Sequence, residues 1–101
     1  MRYGIKVSTF AKKDKKDIIQ YLAQYSVSAP LKFKQELERY IDLIRQTPNI
    51  FSTYYANPYY RNVVVFGSYV MFYTVNEADG IVFIYRVLHG AQDIENILKT
   101  E

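Results

Sequence analysis

A chain of 101 residues, 50% hydrophobic, 17% aromatic and 23% charged, has room for one folded domain spanning 1–101 and too much apolar content for disorder. With no cysteine and one histidine, it excludes a disulfide framework, a cysteine nucleophile and a metal cluster of ordinary ligand type, so neither metal nor cofactor is expected. The net charge of +3 is split by sign, +5 over residues 1–45 and −2 over residues 46–101, which suits plain solubility and equally an acidic partner.

No apolar run approaches the roughly 20 residues that cross a bilayer. The first ten residues alternate instead of running basic and then apolar, so a cytoplasmic protein without a membrane partner is expected.

Residues 2–9 set Tyr3, Ile5 and Val7 against Gly4, Lys6 and Ser8, the period of a strand with one buried face. Ser8 and Thr9 are both good N-caps for the helix that follows. Its apolar stripe is Ile18, Ile19, Leu22 and Tyr25, while Lys12, Lys13, Lys15 and Lys16 crowd its first turns against the helix dipole. Ser28 with Pro30 starts a second helix, whose stripe is Phe33, Leu37, Tyr40, Ile41 and Ile44 and which must close before Pro48. The short link between the two makes an antiparallel hairpin.

Residues 47–60 read as a loop, marked by Pro48, Asn49, Asn57 and Pro58. Strands follow at 60–66, 69–77 and 81–88, joined by turns at Gly67-Ser68 and 76–80, as an antiparallel meander. The apolar density of 63–66 and 81–88 points to central strands covered on both faces. Ile94, Ile97 and Leu98 then mark a short third helix, with Asp93 in its first turn. The expected fold is α+β, a helical hairpin on a largely antiparallel four-stranded sheet in the order β-α-α-β-β-β, closed by a C-terminal helix.

Four scattered glycines make no phosphate loop, and no spacing supplies His89 with a serine and a carboxylate for a triad. The acidic residues fall on helix surfaces and turns, so no buried carboxylate pair is indicated. Chemistry concentrates at 85–95. Arg86 lies inside an apolar strand and needs a partner or water, either an internal ion pair with Glu77 or a helix carboxylate, or an anion or partner at the open sheet face. His89 sits at the strand exit, just before Gly90, where packing competes with proton transfer. Tyr54, Tyr55, Tyr59 and Tyr60 crowd the segment before Arg61, rings that can stack bases or bury against a protein.

The run Arg-Val-Leu-His-Gly-Ala-Gln-Asp-Ile at 86–94, the hairpin 69–85 before it and the lysine-rich run at 11–22 resemble the ParE branch of the RelE/ParE toxin superfamily of type II toxin–antitoxin systems. That resemblance implies a small bacterial or plasmid toxin that halts growth and is held inactive by a cognate antitoxin, whose disordered arm folds across the toxin's helices and sheet edge. It also implies one of two targets. ParE-like members poison DNA gyrase; RelE-like members cut mRNA on the ribosome through attack of a 2′-hydroxyl on the neighbouring phosphate. The second chemistry needs cations on the phosphate and groups that move two protons. This chain has no lysine between Lys34 and Lys99 and no tyrosine after Tyr85, so only Arg61, Arg86 and His89 match such roles. The departure favours a gyrase inhibitor without hydrolytic chemistry, and a nuclease using these three residues and a loop tyrosine remains the alternative. Contacts with antitoxin or target are expected at Lys12, Lys13, Lys16, Tyr59, Tyr60, Arg61, Arg86 and His89, in a toxin homodimer or a toxin–antitoxin hetero-oligomer.

Overall fold

The computed structural model describes residues 2–99 as β1 (Gly4–Val7), α1 (Thr9–Ala23), α2 (Ala29–Gln46), β2 (Thr53–Tyr54), β3 (Asn57–Val65), β4 (Tyr69–Asn76), β5 (Ile81–His89) and α3 (Ile94–Lys99). The α+β architecture read from the sequence is the one observed. β3, β4 and β5 form the antiparallel meander, and β1 joins β5 in parallel from Gly4↔Ile81 to Val7↔Ile84.

The sheet has five strands where four were expected, in the order β1-β5-β4-β3-β2. Thr53 and Tyr54 pair with Arg61 and Asn57 inside the segment read as a loop. A strand of two residues has no period to detect, and the prolines and asparagines around it dominate the local signal.

Local chemistry sets the helix ends. Ser8 is extended, and its hydroxyl accepts the Ala11 amide at 2.9 Å, so it caps α1 as read. α1 stops at Ala23, however, and Tyr25 stands 73% exposed beyond the stripe to which it was assigned. Ser28 occupies the cap position of α2 in a helical conformation that makes no side-chain cap bond; the Ser26 hydroxyl accepts the Ala29 amide at 3.2 Å instead. α2 ends at Gln46, short of Pro48.

One sheet face carries the hairpin. Ala11, Ile18, Phe33, Leu37 and Ile44 pack there on Val63, Val65, Met71, Tyr73, Val82, Ile84 and Val87. The other face buries Tyr60, Phe72, Tyr85 and Leu88 beneath Leu98 of α3, with Ile94 and Ile97 partly buried at the margin. The chain is thus three-layered along one half of the sheet and open along the other. Central burial falls on β4 and β5; beyond Tyr60, β3 is covered on one side only, and Val64 is 53% exposed, contrary to the two-sided burial expected of 63–66.

Tyr73 is fully buried, and its hydroxyl donates to the Pro48 carbonyl at 2.8 Å, tying the end of α2 to the middle of the sheet. Burial pushes its pKa up from 10.0 to about 12, against a smaller lowering by Arg61. A phenol whose pKa is raised by folding contributes stability that is whole below pH 10 and is lost as pH rises through about 12. Tyr73→Phe is therefore expected to cost about 1 kcal/mol at neutral pH, the worth of the hydrogen bond, and to flatten the alkaline fall in stability. Urea unfolding of both proteins at neutral pH and near the upper end of that window measures both effects.

Candidate functional site

β1 covers β5 only as far as Ile84, because Ser8 turns the chain into α1. β5 continues to His89, and its outer edge beyond Ile84 needs other partners. The start of α1 supplies them. Ser8 donates its amide to the Ile84 carbonyl at 2.9 Å and its hydroxyl to the Tyr85 carbonyl at 2.5 Å. Asp14 accepts the Val87 amide at 3.0 Å and takes the Arg86 guanidinium in a fork, Nε at 2.8 Å and Nη2 at 2.9 Å. Both side chains are largely buried, Arg86 at 15% and Asp14 at 12% exposure. The guanidinium carbon also lies 5.3 Å from the centre of the Phe10 ring.

A bulge lies beside this knot. Tyr73 pairs with Ile84 and Phe72 with Arg86, so Tyr85 is the extra residue of β5. Its ring stacks on Tyr60 at 5.1 Å, and its hydroxyl is buried without a hydrogen-bond partner.

The internal ion pair read from the sequence is present, with Asp14 as the partner. Glu77 is engaged elsewhere, accepting the Tyr3 hydroxyl at 2.5 Å. Asp14 is the helix carboxylate of the alternative read from the sequence, which did not single it out among the charges of α1. A signal was present: extended backwards, the α1 stripe through Ile18 and Leu22 meets Asp14 and Ala11, placing a carboxylate on a buried line.

Arg61 points away from this knot. Its Nη1 donates to the Phe51 carbonyl at 2.7 Å, outside β3, while Arg86 is held outside β5. β4 separates their strands by roughly 10 Å of sheet. The two cations are not brought together. His89 is exposed and closes a turn, donating its amide to Gln92 Oε1 at 2.7 Å and accepting the Ala91 amide on Nδ1 at 3.0 Å, with its ring edge-on to Tyr69.

Tyr60 is buried in the second core, whereas Tyr59 is 75% exposed. Lys13 is paired with Asp17 at 2.7 Å, which holds its ammonium pKa above the usual value; the side-chain hydrogen bond is the largest cause. Lys12 and Lys16 are exposed. Lys12 and Lys15 stand at the mouth of an apolar cleft of about 230 Å³ between α1, α2 and the sheet, floored by Leu37, Met71, Ile84 and Val87. A wider groove of about 760 Å³ runs along the open half of the sheet between Lys6, Tyr59, Glu77, Asp79 and Phe83. These surfaces suit binding.

The fold, a helical hairpin on a five-stranded sheet closed by a short C-terminal helix, is similar to that of solved structures from type II toxin–antitoxin systems. A chain of the chromosomal ParDE toxin–antitoxin system of P. aeruginosa is similar at a TM-score of 0.70 and 16% identity, over 87% of this chain and 96% of that one. A mutant of the E. coli toxin RelE in the free state is similar at 0.70 and 15%, over 99% and 98%. So is a chain of the RelBE2 toxin–antitoxin complex of Mycobacterium tuberculosis, at 0.61 and 17%, over 88% and 99%. No curated protein matches the sequence. Residues 5–94 match the model of the ParE toxin of the type II toxin–antitoxin system parDE, and the chain belongs to that family.

Proposed function

We propose that the chain is a cytoplasmic growth inhibitor that acts on DNA gyrase by binding and not by hydrolysis, and that a cognate antitoxin neutralises it. The observation that carries this reading is the commitment of Arg86 to Asp14. Cleavage by a 2′-hydroxyl needs a cation free to hold the developing charge on the phosphate. Here the best-placed arginine closes a strand edge, and Arg61 is turned to a carbonyl on the far side of β4. The antitoxin partner is supported by the family and by the toxin–antitoxin complexes among the similar structures.

The test is a paired assay on the antitoxin-free chain, scoring gyrase supercoiling and linear cleaved DNA beside mRNA cleavage on translating ribosomes. Inhibited supercoiling without RNA cuts is expected. Ribosome-dependent cuts with intact supercoiling would sink the gyrase reading and return Arg61, Arg86 and His89 to the role of a nuclease site.

A further inference from the structure

We propose that the tip of the helical hairpin, formed by Tyr21, Tyr25, Val27 and Leu31, is the surface that docks on the target, and that it fits a protein surface with an apolar pocket inside an acidic rim. The inference rests on the gyrase reading and assigns its contact. These four side chains are 53%, 73%, 101% and 60% exposed, and none belongs to either core. Large apolar side chains gathered at one protruding end of a small protein mark an interaction site more often than isolated ones do.

The tip is also ordered. Tyr21 and Tyr25 stand one helical turn apart with ring centres 5.1 Å from each other, so they present one aromatic body. The amides of Tyr25 and Ser26 both donate to the Leu22 carbonyl at 3.1 Å, and the Ser26 hydroxyl accepts the Ala29 amide. A loop fixed in this way loses little freedom on docking. Tyrosines held on such a loop are the anchors that dominate protein interfaces.

Charge narrows the partner. No acidic residue lies between Asp17 and Glu36, while Lys32 and Lys34 follow the apolar residues and are exposed. The bounding carboxylates are engaged: Asp17 by Lys13, and Glu36 by the Phe66 amide with Arg39 at 3.7 Å. Positive charge beside an apolar centre favours an acidic surface and speeds its encounter.

The experiment compares the full chain with Tyr25→Ser/Val27→Ser, with Leu31→Ser, with Lys32→Glu/Lys34→Glu, and with Ile50→Ser/Val64→Ser as a control that removes exposed apolar groups elsewhere. The readouts are the concentration that halves gyrase supercoiling and the thermal midpoint of each protein. The apolar tip variants are expected to need at least tenfold more protein, with the midpoint unmoved and the control unaffected. The charge-reversed variant should lose most at low salt. Should the double variant fail to fold, Val27→Ser alone supplies the reading, since that side chain touches nothing the fold needs. Folded tip variants that inhibit like the wild type overturn the docking surface and leave the gyrase reading standing. A wild-type chain that does not inhibit gyrase overturns that reading and the assigned contact together.

Discussion

Asp14→Ala is expected to destabilise the protein by about 3 kcal/mol, the low end of what removing one partner of a buried pair costs, because both side chains keep some exposure. Two losses combine. Arg86 loses its fork to a carboxylate in a partly dry site, and the Val87 amide loses its acceptor at the edge of β5. For a protein of this size each kcal/mol moves the thermal midpoint by roughly 4 to 8 °C, so a fall of more than 10 °C should be plain in a melting curve. Asp14→Asn keeps an acceptor and should lie between. The informative variant is Asp14→Leu/Arg86→Met, which removes both charges while filling the space and should recover most of the loss. If Arg86 acts only by closing the strand edge, this double variant still inhibits gyrase as the wild type does. If Arg86 holds a phosphate, the double variant is folded and inactive.

How far the sequence reveals this protein depends on whether a feature repeats. Phe33, Leu37 and Ile44 are spaced for one helix face and are found buried on one. The meander was legible from runs of apolar residues separated by turn sequences, and β1, as a strand, from its own alternation; its parallel pairing with β5 was not. What escaped was singular. β2 is too short to carry a period. Asp14 looks like any charge on a lysine-rich helix until the register of β1 against β5 leaves the Val87 amide facing it. The bulge at Tyr85 is another such case: one extra residue in β5 cannot be seen without its opposite number in β4. Arg86 itself was visible as an anomaly, an arginine in an apolar strand, and the residues alone left its partner open. Candidates drawn from the sequence therefore scattered. Arg61 and Arg86 face opposite edges, Tyr60 is core, and Tyr59 stands at the open groove.

Phe33→Ala is expected to cost 3 to 5 kcal/mol and to unfasten the hairpin locally before it unfolds the whole chain. Phe33 is fully buried and meets Phe66 and Tyr69 edge-on, with ring centres 6.1 and 5.5 Å away. That contact holds down a strained turn. Phe66 has φ of 54° and Gly67 of 73°, and a bulky residue reaches the left-handed region only when its surroundings compel it. α2 compels it twice within one turn, through the Phe33 ring and through Glu36, whose carboxylate accepts the Phe66 amide. Removing the ring leaves a cavity under the turn and only the carboxylate to hold it. Amide exchange at Phe66 and Gly67 should then speed up more than exchange along β1, which Phe33 does not hold. Phe33→Leu, which fills most of the space, should cost about 1.5 kcal/mol and keep the turn protected. Because Phe33 lies two residues beyond Leu31, the same anchor holds the exposed tip at a fixed height over the sheet. At a temperature where Phe33→Ala is still folded, gyrase inhibition should weaken with the local opening, and Phe33→Leu should retain it. Equal exchange at both places, or a loss of stability under 1 kcal/mol, would show that the turn stands without α2.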